Sequence, residues 1–243
     1  MNRKLDVGAT LGEVFSIYRA QAGVLLPIAF WLYLLVAVVS VLVGKNLALL
    51  PIEVAVTTIA ATLYQGVVVS LVRDVQDGRR DSAAGDLLRS AMPVVLPLIG
   101  AGFLSGLAIA AGFFLLLVPG LILLTIWAVI APVIVVERSG VRRSFGRSRK
   151  LVRGHGWPVF GVIIVAFLIA IVGALTFGAI AAGISNGILV RIVFTAIAST
   201  ITAPITALAA AVLYFRLLAL GGAAGPPATD PGIGRAPLAP PAD

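Results

Sequence analysis

The feature that most constrains this chain is a series of stretches without a charged side chain, each long enough to cross a bilayer. The first runs from Ala20 to Gly44, a second from Val54 to Val72, a third from Ser90 to Val136 and a fourth from Gly154 to Val190. A helix crosses the hydrocarbon core with about 20 apolar residues. The composition agrees: 60% of the 243 residues are hydrophobic and 12% charged, where an ordinary soluble domain has roughly 25% charged residues. A soluble domain of this size could not keep that much apolar surface from water. The mean hydropathy of +1.11 points the same way. The fold class expected is all-α, a polytopic membrane bundle.

Turn signals divide these stretches into six spans. The first is expected over residues 24–43 and the second over 54–72, entered through Pro51. The third stretch is too long for one crossing. Pro119-Gly120 is its natural turn, giving spans over 94–118 and 121–136. Asn186-Gly187 separates a fifth span, 159–184, from a sixth, 190–215. The opening segment is too polar for a cleavable signal, so the first run reads as a retained helix. The chain divides into a membrane domain, 1–220, and a Pro-, Gly- and Ala-rich tail, 221–243, whose composition cannot bury a core.

Charge orients the bundle. With both termini in the cytoplasm, all but two of the 18 Lys and Arg fall on the inner side, and only Lys45 and Arg191 lie outside. That bias is the positive-inside rule. It places the chain in the cell membrane and accounts for the net charge of +8 without nucleic acid. The absence of cysteine excludes disulfides and thiolate chemistry.

Three inner segments share a pattern: an amphipathic stretch leading through a proline into a hairpin of spans. They are Thr10 to Pro27, Ser82 to Pro97 and Gly140 to Pro158, read as three repeats of interfacial helix plus hairpin. In the first, Thr10 and Glu13 fit a capping box. The third is the most basic, with Arg142, Arg143, Arg147, Arg149, Lys150 and Arg153 within twelve residues and Trp157 as an interface anchor. Each such cation near an anionic leaflet contributes about 1 kcal/mol. These six are the candidate anionic-lipid contacts, and membrane phospholipids the expected partners. A protein partner in the membrane is a further expectation.

Small residues provide close helix contacts in lipid. The candidates are Gly102, Gly106 and Ala110 in the third span, Ala174, Gly178 and Ala182 in the fifth, and Ala196, Thr200, Ala203 and Ala207 in the sixth.

The search for chemistry returns little. The centres of the spans carry no charge, whereas intramembrane ionisable groups are the usual markers of transport. Glu53 and Arg191, near the outer ends of the second and sixth spans, form a candidate outer polar pair or two snorkelling interface residues. His155 is the single histidine and reads as a loop residue. Asp74, Asp77, Asp81 and Asp86 alternate with arginines in a charge-balanced loop. No phosphate-binding glycine loop or nucleophile elbow occurs. The expectation is a non-catalytic membrane scaffold or anionic-lipid module with no cofactor and no metal. A transporter or permeability factor for a lipid-like or apolar solute is the alternative, and a lipid enzyme using His155 or the loop aspartates a third.

One resemblance adds to this reading. Val118-Pro-Gly-Leu121 through Trp127, Ala131-Pro-Val-Ile-Val-Val-Glu137, Gly140-Val-Arg-Arg-Ser-Phe145 and Arg147-Ser-Arg-Lys-Leu-Val-Arg-Gly-His-Gly-Trp157 form its core, with Leu11-Gly-Glu-Val-Phe-Ser-Ile-Tyr-Arg19 before them. Over about residues 5 to 218 the chain resembles the six-span membrane domain sometimes fused to glycerophosphoryl diester phosphodiesterases. In fused members the activity belongs to a separate barrel with several carboxylates and histidine, which this chain lacks. The resemblance therefore implies a fold and no reaction. It implies structural roles for Pro119, Gly120, Pro132, Glu137 and Trp157: a turn, a kink, a helix end and an interface anchor.

Overall fold

The computed structural model describes residues 5–43, 46–76, 94–185 and 187–221. The tail from 222 on, the loop carrying Asp77, Asp81 and Asp86, most of the second amphipathic stretch, Lys45 and Asn186 lie outside the described residues.

Among the described residues all regular structure is helical: α1 (Val7–Val43), a 3₁₀ turn (Leu47–Leu49), α2 (Leu50–Gln76), α3 (Val95–Leu115), α4 (Leu117–Ile126), α5 (Ile130–Glu137), α6 (Val141–Val152), α7 (Gly156–Ile184) and α8 (Ile188–Leu220). Taking α4 and α5 together as one broken crossing, six helices among the described residues are long and apolar enough to span a membrane.

Prolines mark where these helices begin. Pro97, Pro119, Pro132 and Pro158 each occupy the third helical position of α3, α4, α5 and α7, and Pro51 the second of α2. The first four N–H groups of a helix have no internal partner, so the missing proline donor costs nothing there. Pro119-Gly120 is therefore a helix start and not the expected turn. The reversal falls earlier, at Leu116, whose backbone is extended (φ −162°, ψ 147°). Gly120 allows the hairpin to close: a Cβ there would lie 2.5 Å from the Phe113 ring, and one at Gly112 would lie 3.0 Å from the Gly120 Cα.

Pro132 accounts for the break between α4 and α5. Its ring clashes with the carbonyl four residues back and it donates nothing to it. Trp127 and Val129 leave helical geometry (φ −103°, ψ 11° and φ −112°, ψ 20°), and the Ile130 N–H turns to the Trp127 carbonyl at 3.2 Å. The Ile126 carbonyl thereby loses its usual donor.

The first helix begins earlier than expected. Its 37 residues reach about 55 Å at 1.5 Å per residue, well beyond the hydrocarbon thickness. The amphipathic stretch and the span form one helix through Pro27. The expected capping box does not form. Asp6 caps instead, its carboxylate accepting from the Ala9 N–H at 3.0 Å, while the Thr10 hydroxyl donates to the Asp6 carbonyl. The three hairpin units are thus built differently: α1 fuses stretch and span, the second unit has its later span broken, and only α6 is a separate amphipathic helix among the described residues.

Helix α8 lies against α1, α7 and α2, and α2 against α1, α3, α5 and α8. Their contacts concentrate at one end. Val14, Leu25 and Ala29 of α1, Tyr64 to Val72 of α2, Leu98 of α3, Ile130 to Val135 of α5, Val159 and Val162 of α7 and Ile205 to Leu217 of α8 form the main cluster of buried residues. This end carries the start of α1, helix α6 and the end of α8. We term it the basic end. The other, the apolar end, holds the 3₁₀ turn, Leu116 and Ser185. Its side chains are largely exposed, Phe114 to 91% and Leu189 to 72%, as expected of lipid-facing residues.

The small residues expected at helix contacts divide accordingly. Ala196, Thr200 and Ala207 are buried. Gly102 meets Thr62 of α2, whereas Gly106 is open. Ala174, Gly178 and Ala182 are exposed, and a Cβ at Gly178 would meet nothing within 4 Å. The close approach of α7 to α8 is at Gly173, where a Cβ would fall 2.6 Å from Thr202 Cγ2. Beyond that crossing the Phe177 and Phe194 rings still meet, their centroids 6.5 Å apart.

Candidate functional site

Helix α6 is the most sharply segregated element. Its innermost line is Ser144, Ser148 and Val152, at four-residue spacing and all buried. The half-buried Val141 and Phe145 flank it. Of the two serines on this buried line, Ser144 donates to the Val141 carbonyl of its own helix at 2.6 Å, while Ser148 reaches across. The Ser148 hydroxyl donates to the Ile126 carbonyl at 2.8 Å, the group that the Pro132 break released. Phe145 meets Trp127, a residue of the same break, edge to face at 4.9 Å. The apolar face of α6 is therefore spent on protein, against α3, α4, α5 and α8, and not on the headgroup layer.

An ion pair completes the attachment. The Arg147 Nε donates to both oxygens of Glu137, at 2.8 and 3.2 Å. The Glu137 side chain is only 3% exposed and Arg147 22%. The buried Tyr214 of α8 donates its hydroxyl to the same Glu137 oxygen at 3.2 Å. One carboxylate thus ties α5, α6 and α8. Arg138 beside it adopts a left-handed backbone (φ 45°), which reverses the chain from α5 into α6. The opposite side of this end is closed by Arg216, whose Nε donates to Glu13 at 2.7 Å and whose terminal nitrogen donates to the Ala9 carbonyl at 3.0 Å.

The six candidate lipid contacts separate on this scaffold. Arg147 faces Glu137. Arg142, Arg143, Arg149, Lys150 and Arg153 are exposed, and none forms an ion pair among the described residues. Trp157 follows at the start of α7, 85% exposed. Glu137, expected only as a helix end, is the centre of the attachment, and neither its partner Tyr214 nor the bond of Ser148 to Ile126 is legible in the sequence. The sequence did hold one signal: Glu137 is the carboxylate that terminates a long uncharged run, ten residues before Arg147 in a basic one.

The other candidates lie apart. No ion pair or hydrogen bond joins Glu53 to Arg191 among the described residues. Arg191 instead borders a cleft of about 400 Å³ between α7 and α8. His155 precedes α7, and its buried Nδ1 has no hydrogen-bond partner. No cluster of three metal-ligating side chains occurs among the described residues.

The fold and composition define an integral membrane protein, a helical bundle with six apolar helices able to cross the bilayer. The chain matches no family model, no curated protein and no solved structure.

Proposed function

We propose that this protein is a non-catalytic membrane module that engages anionic phospholipids through α6, with its basic end facing the cytoplasm of the cell membrane. One observation carries the reading: five exposed cations, with no carboxylate partner among the described residues, stand on or just past a helix whose other face is fixed to the bundle. Held this way they form a preorganised surface rather than a flexible loop, so less ordering entropy is lost when headgroups bind. Exposed Trp157 suits the interface beside them. The resemblance to the membrane domain joined to some phosphodiesterases fits a module that anchors or organises partners at the membrane, without implying their reaction.

Native mass spectrometry of protein released in mild detergent tests this. Phosphatidylglycerol should be retained over phosphatidylcholine, and the triple variant R142A/R143A/R149A should lose that preference by about a hundredfold. Equal retention of both lipids by the wild type would reject the proposal.

A further inference from the structure

The cleft between α7 and α8 lies at the apolar end, away from α6, and its two walls differ in chemistry. On the α7 side it is lined by Ala174, Gly178 and Ala181, which leave space where larger side chains would close it. On the α8 side stand Arg191, Thr195 and Ser199. Their spacing of four puts them on one face of the helix, about 6 Å apart along its axis.

Thr62, Ser105, Thr125, Thr200, Thr202 and Thr206 each return their hydroxyl to a carbonyl of their own helix. Thr195 and Ser199 make no such bond, and Arg191 has no ion pair among the described residues. Three polar side chains that have no hydrogen-bond or ion-pair partner among the described residues thus share one wall of an apolar cleft. In hydrocarbon an unsatisfied polar group is costly, and a groove between helices does not stay empty in lipid. The volume of about 400 Å³ falls within the range of small-molecule sites.

We infer that this cleft holds one anionic glycerophospholipid of the leaflet opposite α6, its phosphate on Arg191, its ester oxygens at Thr195 and Ser199, and an acyl chain along Ala174, Gly178 and Ala181. Charge complementarity selects this occupant. A transmembrane helix of a second copy would fill the groove with apolar surface and leave the guanidinium and both hydroxyls unmatched. A neutral apolar solute would do the same. A phospholipid supplies an anion at the membrane surface for Arg191, acceptors below it for the two hydroxyls, and an apolar chain that can lie beside them against the small residues of α7.

The test is native mass spectrometry of the full chain with added palmitoyl-oleoyl phosphatidylglycerol, scored for the number of lipids retained per protein. Arg191→Ala should weaken retention of one lipid about tenfold, the equivalent of one charge-assisted hydrogen bond. Gly178→Leu fills the cleft at a position where a Cβ meets nothing, and should remove the same lipid while thermal unfolding stays unchanged. R142A/R143A/R149A should leave it in place, which separates this site from α6. The inference is overturned if both cleft variants keep the wild-type lipid number, if dioleoylglycerol is retained as well as phosphatidylglycerol, or if the wild type is a dimer that Gly178→Leu dissociates.

Discussion

The two ends of the bundle solve different problems with the same six helices. At the basic end, broken and capped backbone is brought together and polar groups are paired across helices: the Ile126 carbonyl takes Ser148, Glu137 takes Arg147 and Tyr214, and Arg216 takes Glu13 and Ala9. Toward the apolar end the helices approach closely at glycines, Gly112 against Gly120 and Gly173 against Thr202, and at small residues such as Ala181 and Ala196, while many large side chains turn outward. The difference follows from the solvent. Apolar side chains gain nothing from leaving lipid, so helices there are held by close packing at a few points. Near the interface, polar groups can be paired within the protein, and each pair fixes an orientation.

The largest expected effect lies at the basic end. Glu137→Ala removes the carboxylate that accepts from the Arg147 Nε and from the Tyr214 hydroxyl. Because Arg147 is 22% exposed, the cost should sit near the lower limit for a buried pair, about 3 kcal/mol. It would be read as a lower unfolding temperature in detergent, and a double variant with Arg147→Met should recover part of it. If Glu137→Ala melts with the wild type, the contrast between the ends fails.

At the apolar end the packing points should be nearly as sensitive. Gly120→Ala drives a Cβ into the Phe113 ring and should cost about 1–3 kcal/mol, while Gly106→Ala, where a Cβ meets nothing within 4 Å, should be neutral or slightly stabilising. Equal behaviour of the two glycines would show that α3 and α4 do not close at Gly120. Ser148→Ala should cost about 1–2 kcal/mol, since the Ile126 carbonyl is left without a donor. Hydrogen exchange should rise first in α6, and exchange confined to α4 would contradict the proposed attachment. The smallest effect is expected at Glu13→Ala. Its pair with Arg216 is about one-third exposed on both sides, so a loss of about 0–1 kcal/mol should appear, diminishing with added salt.

Much of this architecture was legible in the chain because lipid imposes a one-dimensional rule. Span number follows from uncharged length, and the end that gathers Arg and Lys follows from where the charges interrupt it. The prolines were visible too, but their meaning was ambiguous. Pro119-Gly120 marks a turn in water-soluble loops, whereas here Pro119 stands in a helix start, because a proline in the first turn loses no bond. The Thr10–Glu13 box failed for a related reason: Asp6, one turn earlier, already satisfies the Ala9 N–H.

The sequence by itself determined six crossings, the basic end and the amphipathic character of α6, each a property of length or period along the chain. Only the tertiary structure decided what those elements touch. Glu13 and Arg216 are 203 residues apart, Glu137 and Tyr214 77 apart, and Ser148 lies 22 residues beyond the carbonyl it satisfies. Periodicity names a face of a helix but not its neighbour. In lipid the choice of neighbour rests on a few close glycines and paired polar groups, and those meet only when the helices are assembled.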